Sequence, residues 1–188
     1  MHIKNVSFIG LGVMGYPMAG HLKKNGYNVT VYNRTKTKAQ KWVLDFGGQM
    51  ATTPAEASNE SEIVFICVGR DKDIIEVMEG KNGILSGSKK GAIIVDHTTA
   101  SAEIAREYSE KLKNMNLGFL DAPISGGQAG AENGILSIMI GGEKENFEKV
   151  KPVLESYGKA IELIGPSGSG QIAKMINQIC IAGLVQGL

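Results

Sequence analysis

A glycine-rich turn near residue 10 has the spacing that binds a diphosphate. Residues 10–15 read GLGVMG, between an apolar run at 6–9 and a helical pattern over 14–24. In the spacing GxGxxG the first glycine permits a tight turn, the second lets backbone amides approach the phosphates, and the third lets the helix pack against the strand. The positive end of the helix dipole adds to the attraction. The residues expected to cradle a dinucleotide are Gly10, Leu11, Gly12, Val13, Met14 and Gly15.

The residues after a second predicted strand, 28–32, indicate which dinucleotide is bound. NAD enzymes place a carboxylate about 20 residues after the glycine turn, where it holds the ribose hydroxyls. This sequence has Asn33, Arg34 and Thr35 at that point. A guanidinium suits a 2′-phosphate, and its two neighbours add hydrogen-bonding groups. We therefore predict NADP(H) as the preferred cofactor and NAD(H) as the alternative, although an arginine merely exposed in a turn would give the same pattern.

A second glycine-rich segment follows a later strand. Residues 121–127 read DAPISGG. The hydroxyl of Ser125 and the amides of Gly126 and Gly127 predict a nest for a small carboxylate. An ordinary loop at the end of a strand explains the same residues equally well. We interpret Asp121 as structural rather than catalytic.

A single lysine interrupts the apolar helix that is predicted to begin at residue 171. Gln171, Lys174, Asn177 and Gln178 are three or four residues apart and therefore share one face of that helix. Burial of a lysine among apolar side chains costs free energy and lowers its pKa, which suits a general acid or base in carbonyl reduction. The amides beside it are placed to orient a substrate hydroxyl. The alternative is a lysine at a domain boundary whose ammonium group reaches water.

The composition excludes several classes of protein. A net charge of +1 over 188 residues provides no field that would recruit nucleic acid or a membrane. The basic run Lys36, Lys38 and Lys41 is interpreted as a solvated helix face. Cys67 and Cys180 lie far apart in apolar surroundings, which predicts two buried thiols and no disulfide. We expect no metal site and no signal peptide, and therefore a cytoplasmic protein.

Strand and helix patterns alternate along the chain. Further strands are predicted at 63–68, 92–95, 118–122, 136–140 and 161–164, with helices at 38–46, 72–79, 102–114 and 145–157. Strands that are apolar on both faces predict an α/β fold with a Rossmann-type doubly wound, mostly parallel sheet. We assign residues 1–165 to this NADP-binding domain. Residues 166–188 are expected to form a hinge and the first part of a long helix that leads into a second domain.

Together, these motifs resemble the β-hydroxyacid dehydrogenase family over essentially the whole chain. The resemblance rests on residues 10–19 (GLGVMGYPMA), on residues 121–127, and on Gly168, Gly170, Lys174 and Asn177. It implies hydride transfer between NADP(H) and a small 3-hydroxyacid or semialdehyde, with Lys174 as the catalytic acid/base. It also implies that the second domain is all-helical, completes the active site and joins protomers into a dimer or tetramer.

The resemblance assigns roles to further residues. It implies that Ser125, Gly126 and Gly127 bind the substrate carboxylate, while Asn177 and Gln178 orient the substrate. The additional positions that it places near the cofactor are Val68, Gly69, Asp73 and Thr99. Many members carry a second asparagine where this chain has Gln178. Tartronate semialdehyde reductases look similar to this chain at that point, which favours a small semialdehyde as substrate.

Three other interpretations stay open. One is a non-catalytic NADP-binding or assembly module on the same fold, because a fold does not settle function. Lys174 argues against it, since relatives that lost catalysis are expected to have replaced the lysine. Another is an NAD-dependent dehydrogenase of the 3-hydroxyisobutyrate type. A lactate-type mechanism would use His97, which follows a predicted strand, but no carboxylate is suitably spaced to orient it.

Overall fold

The computed structural model describes residues 3–188, which form a nine-stranded sheet with helices packed against it. The strands are β1 (Asn5–Ile9), β2 (Asn28–Tyr32), β3 (Gln49–Met50), β4 (Ile63–Ile66), β5 (Ile93–Asp96), β6 (Gly118–Asp121), β7 (Ile124–Ser125), β8 (Leu136–Gly142) and β9 (Gly158–Gly165). The helices are α1 (Gly15–Lys24), α2 (Lys36–Phe46), α3 (Pro54–Ser58), α4 (Asp71–Glu79), α5 (Ile84–Gly87), α6 (Ala102–Asn114), α7 (Gly127–Asn133), α8 (Lys144–Leu154) and α9 (Ser169–Gly187).

The strand order confirms the predicted Rossmann-type sheet. The order is β3-β2-β1-β4-β5-β6-β8-β7, with β9 paired to β8. Its first six strands are parallel and follow the order 3-2-1-4-5-6 of dinucleotide-binding sheets. The order reverses between β1 and β4, so the loops that leave their carboxyl ends diverge and open a crevice. This is where ligands bind in open α/β sheets.

Burial on both faces explains why the central strands are continuously apolar. In β1, Phe8 packs into a core on one face of the sheet, while Ile9 packs into a separate core on the other face. The same alternation places Phe65 and Ile66 of β4 in opposite cores. Successive strand residues point to opposite faces, so covering both faces with helices favours apolar side chains at most positions, with buried Ser7 in β1 as an exception.

Several predicted boundaries differ from the structure. The strand predicted at 63–68 ends at Ile66, because the N–H of Val68 donates to the hydroxyl of Thr98 rather than to a neighbouring strand. The helix predicted at 145–157 ends at Leu154. Strand β8 runs antiparallel to β6 and β7, a direction that an apolar pattern does not encode. Strands β3 and β7 have only two residues each, too few to form a recognisable pattern.

The prediction of two buried thiols is wrong for Cys180. This side chain is exposed, because no other described element covers its side of α9. Cys67 directly follows β4, where burial raises the pKa of its thiol to about 12. Both cysteines are free, as predicted.

Candidate functional site

A cavity of about 640 Å³ opens where the chain leaves β1, β2 and β4. The predicted cofactor residues that line it are Gly10, Gly12, Val13, Met14, Asn33, Arg34, Thr35, Val68, Gly69 and Asp73. Leu11 and Gly15 are buried beneath the glycine turn, and Thr99 is exposed in the loop that follows β5. The structure therefore brings three separated sequence segments to one cavity, which we call the cofactor cleft.

Asn33 shapes the glycine turn. Gly10 has a φ of 100° and donates its N–H to the carbonyl of Tyr32 at 2.9 Å. The N–H of Leu11 donates to Oδ1 of Asn33 at 2.9 Å, and Nδ2 of Asn33 donates to the carbonyl of Thr35 at 3.0 Å. The Asn33 amide thus ties the turn to the end of β2 and the start of α2. In this arrangement the Asn33 amide holds the turn, and the hydrogen bond to the cofactor phosphate that the sequence suggested stays a prediction.

Two cations lie at the edge of the cleft where α2 begins. Arg34 is exposed and lines the cleft, and no carboxylate of the described residues forms an ion pair with it. Lys38, in the first turn of α2, lines the same cavity. The sequence interpretation placed Lys38 in a solvated basic run and missed this position. The available signal was that a helix was expected to begin just after Arg34, which places Lys38 in its first turn, next to the cleft.

The glycine turn yields a paired prediction. A Cβ on Gly15 would lie 2.1 Å from the carbonyl oxygen of Gly10 and 2.8 Å from the Phe8 ring, whereas a Cβ on Gly12 meets nothing within 4 Å. Gly15→Ala is therefore expected to destabilise the fold by about 1–3 kcal/mol through overpacking. Gly12→Ala should melt at the wild-type temperature but lose cofactor affinity, because its methyl group would enter the cleft.

Thermal unfolding and calorimetric titration with NADPH separate these two effects. Equal melting temperatures for Gly15→Ala and the wild type would contradict the packing argument. Unchanged NADPH affinity in Gly12→Ala would contradict the placement of the diphosphate at the turn.

Lys174 lies on α9 with 7% of its surface exposed. Burial lowers the pKa of its ammonium group below the ordinary value for lysine. No carboxylate among residues 3–188 forms an ion pair with it. A buried lysine without a counter-ion loses its proton more readily than an exposed one, which is the property required of a general acid near neutral pH.

The predicted substrate residues meet beside this lysine's helix. Nδ2 of Asn177 on α9 lies 3.5 Å from Oγ of Ser125 on β7, and 3.3 Å from Oε1 of Gln178. Gly126 and Gly127 have φ values of 132° and 60°, and both are exposed at the start of α7. Ser125, which is 52 residues from Asn177, is thereby brought to the same surface as the lysine helix.

Asp121 has the structural role that the sequence suggested. Its carboxylate is fully buried and accepts hydrogen bonds from the backbone N–H groups of Gly168 at 2.7 Å and Gln171 at 3.0 Å. These donors begin α9, whose first N–H groups have no partner within the helix. Asp121 therefore caps the helix that carries Lys174.

His97 is part of the core rather than the site. Its Nδ1 lies 2.7 Å from the carbonyl of Ala122, its Nε2 lies 2.8 Å from the hydroxyl of Tyr157, and its ring stacks on Phe65. Burial lowers its pKa to about 4. With both nitrogens engaged and 1% of its surface exposed, it has no access to a substrate, which argues against the lactate-type mechanism.

The comparisons with known proteins agree with this geometry. Residues 5–165 match the family described as the NAD binding domain of 6-phosphogluconate dehydrogenase. Over 177 residues the chain is 39% identical to 2-hydroxy-3-oxopropionate reductase of Escherichia coli, covering 94% of this chain and 60% of that protein. Over 177 residues it is 34% identical to mitochondrial 3-hydroxyisobutyrate dehydrogenase of Mus musculus, covering 94% of this chain and 52% of that protein.

The chain belongs to the β-hydroxyacid dehydrogenase family. It carries a domain that binds pyridine nucleotides. An uncharacterised oxidoreductase of Shewanella frigidimarina is 58% identical over 183 residues, covering 97% of this chain and 63% of that protein. The chain thus spans less than two thirds of the length of each of these relatives.

Solved structures show the same fold. The 3-hydroxyisobutyrate dehydrogenase of Mycobacterium tuberculosis superposes with a TM-score of 0.89 at 28% identity, over 96% of this chain and 61% of that one. An imine reductase of Myxococcus stipitatus in complex with NAD⁺ superposes with a TM-score of 0.90 at 21% identity, over 100% of this chain and 63% of that one. At that identity the second match shows the fold alone.

The loop after β5 contains a hydrogen-bonded connection to the cofactor cleft that sequence reasoning missed. The N–H of Thr98 donates to Oδ1 of Asp96 at 2.9 Å, and the Thr98 hydroxyl accepts the N–H of Val68 at 3.1 Å. Burial raises the pKa of the Asp96 carboxyl to about 7. His97 and Thr99 of this loop were singled out from the sequence, and no local pattern distinguishes Thr98 from Thr99.

No group of three or more histidine, cysteine, aspartate or glutamate side chains among residues 3–188 could hold a metal ion. No helix in this range has both the length and the apolar character needed to cross a membrane.

Proposed function

We propose that the protein transfers a hydride between NADP(H) and a small 3-hydroxyacid or semialdehyde, with Lys174 as general acid/base. The observation that carries this proposal is the placement of Lys174, buried without a counter-ion in residues 3–188, on the helix that brings Asn177 to Ser125. Gln171, three residues before the lysine, donates to the carbonyl of Thr98 at 2.7 Å. Because the Thr98 hydroxyl accepts the N–H of Val68, which lines the cofactor cleft, this bond links α9 to the edge of the cleft through the loop after β5.

The cleft fits a phosphorylated dinucleotide. The backbone at Gly12 is open to solvent, and the N-terminus of α1 faces the space where a diphosphate would lie. Arg34, Thr35 and Lys38 are the groups that would hold the 2′-phosphate, with Asn33 supporting the turn. When NADP(H) is bound, its nicotinamide supplies the hydride in reduction and receives it in oxidation.

The chain's own residues supply the remaining chemistry. The Ser125 hydroxyl and the amides of Gly126 and Gly127 bind the substrate carboxylate, and Asn177 and Gln178 orient the reacting carbon. In reduction the Lys174 ammonium gives a proton to the carbonyl oxygen. In oxidation the neutral amine takes that proton from the hydroxyl. Burial lowers the pKa of Lys174, so its neutral amine forms more readily than that of an exposed lysine.

The substrate is a short acid with an aldehyde or a hydroxyl group on carbon 3. The names of the E. coli and mouse relatives point to this class. Gln178 favours 2-hydroxy-3-oxopropionate, which is tartronate semialdehyde, over 3-hydroxyisobutyrate. NAD-dependent oxidation of 3-hydroxyisobutyrate is the alternative that we would test beside it.

The proposal includes a division of the chain into two parts. We assign residues 1–165 to cofactor binding and residues 166–188 to a hinge and an interdomain helix. The apolar side chains of Ile176, Ile179 and Leu184 on α9 are 58%, 71% and 65% exposed, as expected for a helix that a further, helical domain covers. Assembly into a dimer or tetramer through that domain is part of the proposal.

Turnover by the complete protein tests the function. We expect NADPH-dependent reduction of 2-hydroxy-3-oxopropionate, slower reduction of 2-methyl-3-oxopropanoate, and none of propanal, which lacks the carboxylate. Equal rates with propanal would contradict the carboxylate nest. If NADPH binds but none of the acids is reduced or oxidised, the protein is instead a non-catalytic cofactor-binding module.

A further inference from the structure

A buried carboxylate holds the start of α9 against the sheet through hydrogen bonds. Asp121, the last residue of β6, bonds the N–H groups of Gly168 and Gln171, as described above. A Cβ on Gly170 would lie 2.5 Å from the carbonyl oxygen of Met139 and 2.8 Å from Oδ2 of Asp121. The first turn of the helix therefore has almost no freedom to slide or rotate over β6 and β8.

The side chain of Gln171 joins the same turn to the loop after β5. It is 1% exposed, its Oε1 accepts the N–H of Ala100 at 3.0 Å, and its Nε2 donates to the carbonyl of Thr98 at 2.7 Å. Both functional ends of the amide are used. Because Thr98 also bonds Val68 in the cofactor cleft, one connected set of hydrogen bonds runs from the cleft to α9.

Lys174 lies one helical turn beyond Gln171 and shares its face of α9. The ammonium group of Lys174 makes no hydrogen bond or ion pair within residues 3–188, so only the packing of its buried side chain and the placement of its helix turn determine where it sits. The position of the Lys174 side chain therefore depends on the helix turn that Asp121 and Gln171 hold in place. A displacement of about 1 Å in a reacting group costs on the order of 100-fold in rate.

We infer that Asp121 and Gln171 are positioning residues that align Lys174 with the cofactor cleft. This inference rests on the proposed role of Lys174. Neither residue touches the substrate. Both act through the backbone of α9, and we call the two together the α9 clamp.

The clamp predicts a selective kinetic defect in the complete protein. In Asp121→Asn an amide N–H faces one of the two backbone donors, and Gln171→Met removes both side-chain bonds at nearly constant volume. Each variant should lower kcat by about 10- to 100-fold, with KM for NADPH unchanged. The matched surface changes Glu148→Gln and Gln40→Met should leave kcat unchanged. Gln171→Met keeps the test available if Asp121→Asn does not fold.

Rescue by a free amine separates positioning from a general structural role. Methylamine can deliver the proton in Lys174→Ala without being held by α9. The methylamine-rescued rate should therefore be the same in Lys174→Ala and in Lys174→Ala combined with Gln171→Met. A methylamine-rescued rate that is a further 10-fold lower in the double variant would overturn the clamp. Wild-type kcat in both clamp variants, together with an inactive Lys174→Ala, would overturn it as well. A fully active Lys174→Ala would instead overturn the proposed function itself.

Discussion

Replacing Lys174 with alanine is expected to lower kcat of the complete protein by about 10²- to 10⁴-fold, the usual contribution of a positioned general acid or base. The dissociation constant for NADPH should not change, because the lysine is not among the residues that line the cofactor cleft. Steady-state kinetics and calorimetric titration of the same variant measure both quantities. Lys149→Ala is the matched control, since that lysine is exposed and pairs with Glu145 on the surface of α8.

The acid/base role of Lys174 also predicts how the rates of reduction and oxidation change with pH. Reduction requires the ammonium form of Lys174, so kcat/KM for reduction should fall as pH rises through the lysine's pKa. Oxidation requires the neutral amine and should rise through the same pKa. Because burial lowers this pKa, both transitions should lie below the ordinary lysine value of about 10.4. An alanine variant that keeps the wild-type rate and both transitions would refute the acid/base assignment.

Replacing Arg34 with alanine should weaken NADPH binding and leave NADH binding unchanged. A hydrogen bond to a charged group contributes about 1.5–3 kcal/mol, which corresponds to roughly 10- to 150-fold in Kd. Only NADPH carries the 2′-phosphate that the guanidinium would meet. Calorimetric titration of the wild type and the variant with each cofactor measures the effect directly.

Two lysines on α2 refine the test of the phosphate site. Lys38→Ala should weaken NADPH binding by a smaller factor, because Lys38 is an exposed point charge that salt screens. Lys36→Ala is the control, since Lys36 lies outside the cavity lining. Equal losses of NADPH and NADH affinity in Arg34→Ala would mean that Arg34 supports the turn rather than the 2′-phosphate.

The main elements of the fold could be predicted because their signals are local. A strand buried on both faces is mostly apolar, and the helix predicted at 102–114 is confirmed to the residue as α6. The direction of β8 could not be predicted, since parallel and antiparallel strands of this length carry the same side chains. Strand β7 is defined by the pairing of Ile124 with Ile138 and of Ser125 with Ser137 in β8, which a local apolar pattern does not reveal.

In the candidate site, too, the locally encoded parts could be predicted and the contacts between distant residues could not. The glycine turn could be found because its backbone conformation and the start of the helix are encoded within six residues. The α9 clamp could not, because Asp121 and Gln171 are 50 residues apart and each resembles an ordinary polar residue. Burial of both side chains is a property of the packed molecule. Sequence spacing therefore pointed to Lys174, to Gln171 on the same helix face and to a structural Asp121, but not to the contact between Asp121 and the first turn of α9.

Transfer of isotope from cofactor to product tests the central claim most directly. The complete protein would be loaded with NADPH that carries deuterium at the transferred position of the nicotinamide. It would then be mixed with 2-hydroxy-3-oxopropionate, and the product analysed by mass spectrometry. Hydride transfer to the aldehyde predicts one deuterium on carbon 3 of the resulting hydroxyacid for each NADPH oxidised. A product formed without deuterium, or no product from the cofactor-loaded protein, would contradict the proposed function.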